Sequence, residues 1–297
     1  MTISHFSIEW EGRHTEEQMG HYLSTRFNLD DPDLISAIDD LPLWSAPFGL
    51  KLLEVVELRH NMNVLDVGSG TGFPLLELSQ RLGSGCRLYG IDPWGAALDR
   101  ARMKIRLWGA ENVHLVEGTA EAMPFDDGYF DLVVSNNGIN NVEDDRESLR
   151  EISRVSRPGA QLVVTLNLPD TMVEFYDIYR AVLHETGKSV ERKKLEEHIW
   201  KKRKPLAHTR GIIEEAGYAV METHRDQFVL RYTDGRAMLE NHIIKLAFLD
   251  SWKEILDEGD RDPVFRKLEH ELNHLARRVG EVRLTIPWVC LDCRKAR

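Results

Sequence analysis

The segment Asn63-Val-Leu-Asp-Val-Gly-Ser-Gly-Thr-Gly-Phe-Pro74 leads from an apolar run through three alternating glycines into an amphipathic stretch. Gly68, Gly70 and Gly72 allow backbone angles and a close ligand approach that a Cβ would forbid. The helix expected just beyond offers free N–H groups at its start, and Pro74 suits its first turn, where no N–H partner is lost. Asp92 ends the next apolar run, twenty residues after Gly72. There a carboxylate can accept hydrogen bonds from both hydroxyls of a ribose, so the pair of features implies a nucleoside. A dinucleotide turn needs G-x-G-x-x-G, and Phe73 breaks that third spacing, which disfavours a nicotinamide dehydrogenase.

Five apolar runs position these residues: Asn63–Val67, Arg87–Ile91, Val113–Glu117, Leu132–Ser135 and Gln161–Leu166. Stretches of helical length separate them, including Leu75–Leu82, Ala96–Trp108 and Arg146–Val155. Strands alternating with helices predict βαβ units and an open, doubly wound α/β sheet. Ahead of it, a helical pattern from residue 14 to about 60 is punctuated by Pro32, Pro42 and Pro47, with a helix expected from Pro47. After residue 168 the alternation breaks: Thr171–Lys204 reads as one or two helices ending at Pro205. A helix over His208–Ala216, stopped by Gly217, then leads to a strand from Tyr218 to about Tyr232 with an expected break near Arg225 and Asp226. Met238, His242, Leu246 and Leu249 share one helical stripe within Gly235–Trp252, and a second helix is expected over Pro263–Arg278. Period-two apolar residues Val282, Leu284, Ile286 and Trp288 mark a last strand over Glu281–Arg294. The expected layout is a helical cap (1–60), an α/β core (61–168), a helical insertion (169–205), a return to the core (206–233), a second insertion (234–280) and a final core strand (281–297).

Residues 64–72 match the V-L-D-x-G-x-G-x-G motif, and the chain here resembles the class I S-adenosylmethionine-dependent methyltransferases. The resemblance continues in order through Leu88-Tyr-Gly-Ile-Asp92, Val116–Asp127, Tyr129–Ser135 and Leu149–Gly159, spanning about residues 60–168. It implies a Rossmann-like seven-stranded sheet whose last, antiparallel strand inserts beside the sixth, with S-adenosyl-L-methionine as cofactor and S-adenosyl-L-homocysteine as product. Carried over residue by residue, it implies that Asp66, Gly68, Ser69, Gly70 and Gly72 surround the methionine moiety and that Asp92 holds the ribose. Pro93, Trp94, Thr119, Ala120 and Glu121 would border the adenine, and Asn136 would lie below the sulfonium. Thr119 stands where the family has an acid, so an adenine contact falls to Glu121 or to backbone.

The acceptor is less legible. Asn137-Gly-Ile-Asn-Asn-Val142 resembles the G-I-R-N-V stretch of ubiquinone and menaquinone C-methyltransferases, with Asn140 in place of the arginine. That places Asn137, Asn140 and Asn141 at the acceptor pocket, where an Asn-rich turn is the alternative. Trp44 and Phe48 can fold over the cofactor mouth, and Phe175, Tyr176 and Tyr179 are candidate aromatic walls, although such a stripe on a helix is more often core. The two insertions could seal a lidded pocket or pair with another subunit, so a homo-oligomer stays open. His242 is the first histidine to test as a base; no catalytic residue is assigned. Cys290-Leu-Asp-Cys293 on a strand points its thiols to opposite faces, so no metal is expected.

With 297 residues, 42% of them hydrophobic and 29% charged, the chain can bury a substantial core. A net charge of −11 repels phosphate backbones, and the N-P-P-Y tetrapeptide of enzymes that flip adenines is absent, so a small-molecule acceptor is favoured over RNA or protein. A nucleoside-binding sensor without turnover is the non-enzymatic alternative. The basic run Lys201-Lys-Arg-Lys204 reads as a solvated helix face. Three cysteines, Glu9 and Glu11 where a signal peptide would be basic and apolar, and no long apolar window together point to the cytoplasm.

Overall fold

The computed structural model describes residues 21–40 and 43–297, so expectations falling on residues 1–20, including Glu9 and Glu11, and on Pro42 lie outside the described residues. Seven strands form one sheet: β1 (Asn63–Val67), β2 (Arg87–Asp92), β3 (Val113–Glu117), β4 (Phe130–Asn136), β5 (Ser156–Asn167), β6 (Tyr218–Tyr232) and β7 (Val282–Lys295). Their spatial order is β3-β2-β1-β4-β5-β7-β6. β1 to β5 run parallel, and β7 lies antiparallel between β5 and β6. This is the doubly wound α/β sheet expected from the alternation, with its reversed last strand. The chain order switches between β1 and β4, and the crevice beyond their carboxyl ends is where such a sheet binds ligands.

Alternation along each strand divides the interior. Val64 and Leu88 belong to one apolar cluster, whereas Leu65, Val67 and Ile91 belong to another on the opposite face. Because both faces are covered, β1 and β4 are buried along almost their whole length. The helices carry local signals at their ends: Asp144 caps Asp145–Val155 through the Arg146 and Glu147 amides, and Gly109, with φ 65°, ends Gly95–Trp108.

Three local expectations change. β6 is continuous through Arg225 and Asp226, and its register shift against β7 lies between Val220 and Glu222. β6 is an edge strand, so charged side chains there face solvent without breaking the ladder. The stripe over Gly235–Trp252 is interrupted at Asn241, whose side chain accepts the Ile243 and Ile244 amides and starts a new helical segment. Met238 and Leu249 are consequently buried while His242 turns toward a cavity. The next helix starts at Glu258, ahead of Pro263, and runs to Val279.

Thr171–Lys204 contains two helices, Val173–Glu185 and Ser189–Lys202. Phe175, Tyr176 and Tyr179 on the first are fully buried against Trp252 of the second insertion. Phe175 stacks on Trp252 with ring centroids 4.0 Å apart, and the Tyr179 hydroxyl donates to the Trp252 carbonyl at 3.0 Å. These aromatics lock helix Val173–Glu185 to the segment around Trp252, the core alternative for this stripe, so Tyr176 is not the acceptor-pocket residue it was a candidate for. Trp252→Ala is expected to cost about 3–5 kcal/mol of stability through the cavity it leaves. Replacement of the half-exposed Trp200 should change stability by less than about 0.5 kcal/mol; urea unfolding followed by circular dichroism checks both.

Candidate active site

The turn after β1 is shaped by three positive φ angles, 80° at Gly68, 50° at Gly70 and 103° at Gly72. The Gly68 and Ser69 amides donate to the Ile91 carbonyl of β2. At the end of that strand, Asp92 accepts from the Gly70 amide through Oδ2 and from the Trp94 amide through Oδ1, each at 2.8 Å. One carboxylate thus sets both the glycine turn and the turn after β2. Across the switch point a Cβ on Gly138 would sit 2.6 Å from the Val67 carbonyl, and one on Gly68 would sit 3.0 Å from the Gly138 Cα. The two turns pack backbone against backbone, a role for Gly138 that its place in an Asn-rich run does not signal.

Beyond these turns lie two cavities. The first, about 830 Å³, has Asp92, Pro93, Trp94, Thr119, Ala120 and Glu121 along one side. Asn137, Asn140, Asn141 and Asn167 line it too, together with His198, Lys202 and Arg203 from the first insertion and Phe248 and Ser251 from the second. The second, about 910 Å³, runs past Ser69, Gly70 and Gly72 to apolar Ile38, Met103 and Leu246 and includes His242. Trp44, Ser45, Gly68, Trp94, Asn136 and Ala247 border both. The structure therefore brings most of the expected cofactor residues to one mouth. His242 stands on the glycine-turn side, edge-on to Phe27 with ring centroids 5.3 Å apart.

Asn136 is the last residue of β4; its Nδ2 donates to the Ser45 carbonyl at 3.1 Å and its Oδ1 accepts from Thr165 at 2.9 Å. It thereby ties the N-terminal segment to the sheet where the cavities meet. Asn137 follows in the left-handed region, φ 60°. The Asn140 amide donates to the side-chain oxygens of both Asn137 and Asn167, so three amides converge on the first cavity. Glu121 is engaged by the Glu143 and Asp144 amides, and the Trp94 indole donates to the Leu29 carbonyl. Phe48 and Tyr176 do not line either cavity. Phe48 is packed among Trp44, Phe228 and Trp288, and the Tyr176 hydroxyl accepts from Trp252 and Arg203 inside the core. Cys290 and Cys293 fall in opposite apolar clusters, and burial pushes each thiol up to about 12. Arg203, His198 and Asn167 were not singled out as site residues from sequence, because the tertiary fold alone brings them here.

Asp66 lies behind the cavity wall. It is fully buried, neither carboxyl oxygen has a hydrogen-bond partner of normal geometry, and Ser69 Oγ beside the same turn is likewise unpartnered. Burial, and then the Asp92 charge, push Asp66 up to about 8. Between about pH 4 and 8 the unfolded chain has lost this proton and the folded chain keeps it. Stability from this group is therefore full below pH 4 and declines as pH rises to 8, by at most about 1.4 kcal/mol per pH unit. Asp66→Asn should flatten that decline relative to the unaltered protein; equal slopes in denaturant titrations across pH 5–8 would contradict a protonated Asp66.

Residues 65–164 match the family profile of a methyltransferase domain. The chain is 31% identical over 192 residues to a demethylmenaquinone methyltransferase of Shouchella clausii, covering 62% of this chain and 79% of the relative. It is 32% identical over 143 residues to a ubiquinone/menaquinone biosynthesis C-methyltransferase of Pectobacterium atrosepticum, covering 46% of this chain and 57% of that protein. Among solved structures, phosphoethanolamine N-methyltransferase 2 of Haemonchus contortus, in complex with phosphomonomethylethanolamine and S-adenosylhomocysteine, superposes with a TM-score of 0.51 at 16% identity, covering 86% of this chain and 53% of that one. A Bacillus halodurans protein assigned as a methyltransferase superposes with a TM-score of 0.56 at 18% identity, covering 84% of this chain and 99% of that one. With the glycine turn, Asp92 and the reversed seventh strand in place, the chain belongs to the class I S-adenosylmethionine-dependent methyltransferases and is an enzyme of their ubiquinone/menaquinone-methyltransferase-like group.

Proposed function

We propose that the enzyme methylates a small molecule held in the first cavity, on the side opposite Asp92. The observation that carries this reading is the composition of that cavity: a nucleoside-recognising side from β2 and the loop after β3, and a separate polar side from the ends of β4 and β5 and from both insertions. Its volume of about 830 Å³ is in the range of small-molecule sites.

The residues present fit the cofactor. A Cβ on Gly70 would meet no atom within 4 Å, so the glycine turn leaves an open cradle, and Asp92 stands at the wall with acceptor capacity beyond its two amide partners. Asp92 would hold the ribose, the Gly68–Gly72 turn the methionine moiety, and Thr119 and Ala120 the adenine. When bound, the cofactor supplies a methyl group already activated as a sulfonium. The protein's task is then to align the acceptor and exclude water. We assign Asn137, Asn140 and Asn167 to orienting the acceptor, with Trp44 and Phe248 covering it; their ring centroids lie 5.1 Å apart.

Residues 61–168, 206–233 and 281–297 are read as the cofactor-binding core, and residues 169–205 and 234–280 as insertions that cap the acceptor side. The quinone acceptors named for the relatives are one class to screen. Asn140, where the quinone methyltransferases have arginine, argues for including others. Among the described residues no helix is long and apolar enough to cross a membrane, and all three cysteines are free and buried, which supports a cytoplasmic setting.

Calorimetry on protein stripped of co-purified ligand should show S-adenosylmethionine and S-adenosylhomocysteine binding and NAD failing to bind. Asp92→Ala should weaken both sulfur nucleosides by about tenfold or more, given about 1.5–3 kcal/mol for a hydrogen bond to a charged group. Unchanged affinity in a folded Asp92→Ala variant would remove the ribose assignment.

A further inference from the structure

The first cavity is lined by a buried cation, Arg203, that has no carboxylate partner among the described residues. Helix Ser189–Lys202 ends at Arg203, where the backbone leaves helical geometry at φ −143°, ψ 79°. Lys201 and Lys202 stay exposed, but Arg203 turns inward and is only 3% exposed, which corrects the reading of this basic run as a uniformly solvated face. Its guanidinium lies over the Tyr176 ring, 5.1 Å from the centroid, and Nη1 donates to the Tyr176 hydroxyl at 2.9 Å. Nε is buried without a partner, and among the described residues no carboxylate lies within 4.0 Å of the guanidinium. Of the acids around it, Glu196 pairs with Arg180 and Asp145 pairs with Lys204 and His208, while Glu197 lies with Arg203 along a separate pocket that includes Trp200 and Pro205, beyond 4.0 Å of the guanidinium.

A buried guanidinium held by one neutral hydroxyl is costly unless an anion completes it. Its planar fork suits two oxygens of one acid, or a single ionised oxygen. Lys202 and His198 line the same cavity. Burial, then Arg203 and Lys202, hold His198 down to about 4, so it is neutral at physiological pH and contributes a hydrogen-bonding edge without a second buried charge. The carboxylates on this cavity, Asp92, Glu121 and Glu143, come from the β2, β3 and β4 ends, and the bases come from the first insertion.

We propose that Arg203, with His198 and Lys202, receives an anionic oxygen of the methyl acceptor, so that the acceptor is an acid: a carboxylate or an ionised phenol or enol. The inference rests on the small-molecule reading above and narrows it. An acceptor that enters ionised at the reacting oxygen also needs no base at the site.

The test uses ligand-observed NMR on the full-length protein, with and without saturating S-adenosylhomocysteine, titrating benzoate, 4-nitrophenolate and neutral benzamide. At least one anion should bind ten times more tightly than benzamide. Benzoate alone identifies a carboxylate acceptor, nitrophenolate alone an ionised hydroxyl, and binding of both supports the shared site. Arg203→Met should abolish the preference and Arg203→Lys should reduce it at least threefold, with S-adenosylhomocysteine affinity unchanged in each. If Arg203→Met does not fold, Arg203→Lys carries the test. Benzamide binding as well as the anions, or anion binding surviving in the variants, overturns the proposal. So does loss of S-adenosylhomocysteine affinity in a folded variant, because Arg203 would then serve the cofactor's own carboxylate. Failure of the unaltered protein to bind S-adenosylhomocysteine would count against the proposed function alone, since the anion arms run without it still decide the Arg203 wall.

Discussion

The backbones of Gly68 and Gly138 touch across the gap between β1 and β4, and the ligand crevice takes its shape from that contact. Neither position has room for a Cβ, and Gly68 also adopts φ 80°. Asp92 reinforces the arrangement from the neighbouring strand by accepting from both Gly70 and Trp94. The same carboxylate that organises the two turns is thus presented to the cavity wall, so the geometry is set before any nucleoside arrives. Such pre-organisation lowers the ordering cost of binding.

Burying Asp66 behind this turn is the less obvious part of the design. A second ionised carboxylate next to Asp92 in a dry environment is strongly disfavoured, and burial together with the Asp92 charge pushes Asp66 up to about 8. The charge facing the cavity from this corner is therefore that of Asp92 alone.

The opposite side of the first cavity, which we propose receives the acceptor, is built by different means. Tyr176, Phe175 and Trp252 form a rigid aromatic joint between the insertions, and the Tyr176 hydroxyl accepts from Trp252 and Arg203 and lies 3.4 Å from His198 Nε2. In that contact the Tyr176 hydroxyl can donate a hydrogen bond to the unprotonated nitrogen of a neutral His198. A residue expected to touch the acceptor directly instead anchors the two residues that do line the cavity. The joint couples the stability of the insertions to the placement of the basic wall.

Local patterning alone identified the five parallel strands, the glycine turn with Asp92, and the strictly alternating last strand. Each of these rests on period-two burial or on a backbone conformation that few residues can adopt, and both act over a handful of neighbours. The cavity residues proposed for the cofactor were legible for the same reason, because they cluster at the ends of consecutive strands. The opposite wall of the cavity was not. Phe48, Phe175 and Tyr176 could be wall or core with equal periodicity, and only long-range packing turned them inward. Arg203 looked like one cation in a solvated run until the end of its helix directed it beneath Tyr176, and Asn167 joins Asn137 and Asn140 only through the pairing of β5 with β4. Which charges face a cavity is a property of how distant segments meet, and no local propensity encodes it.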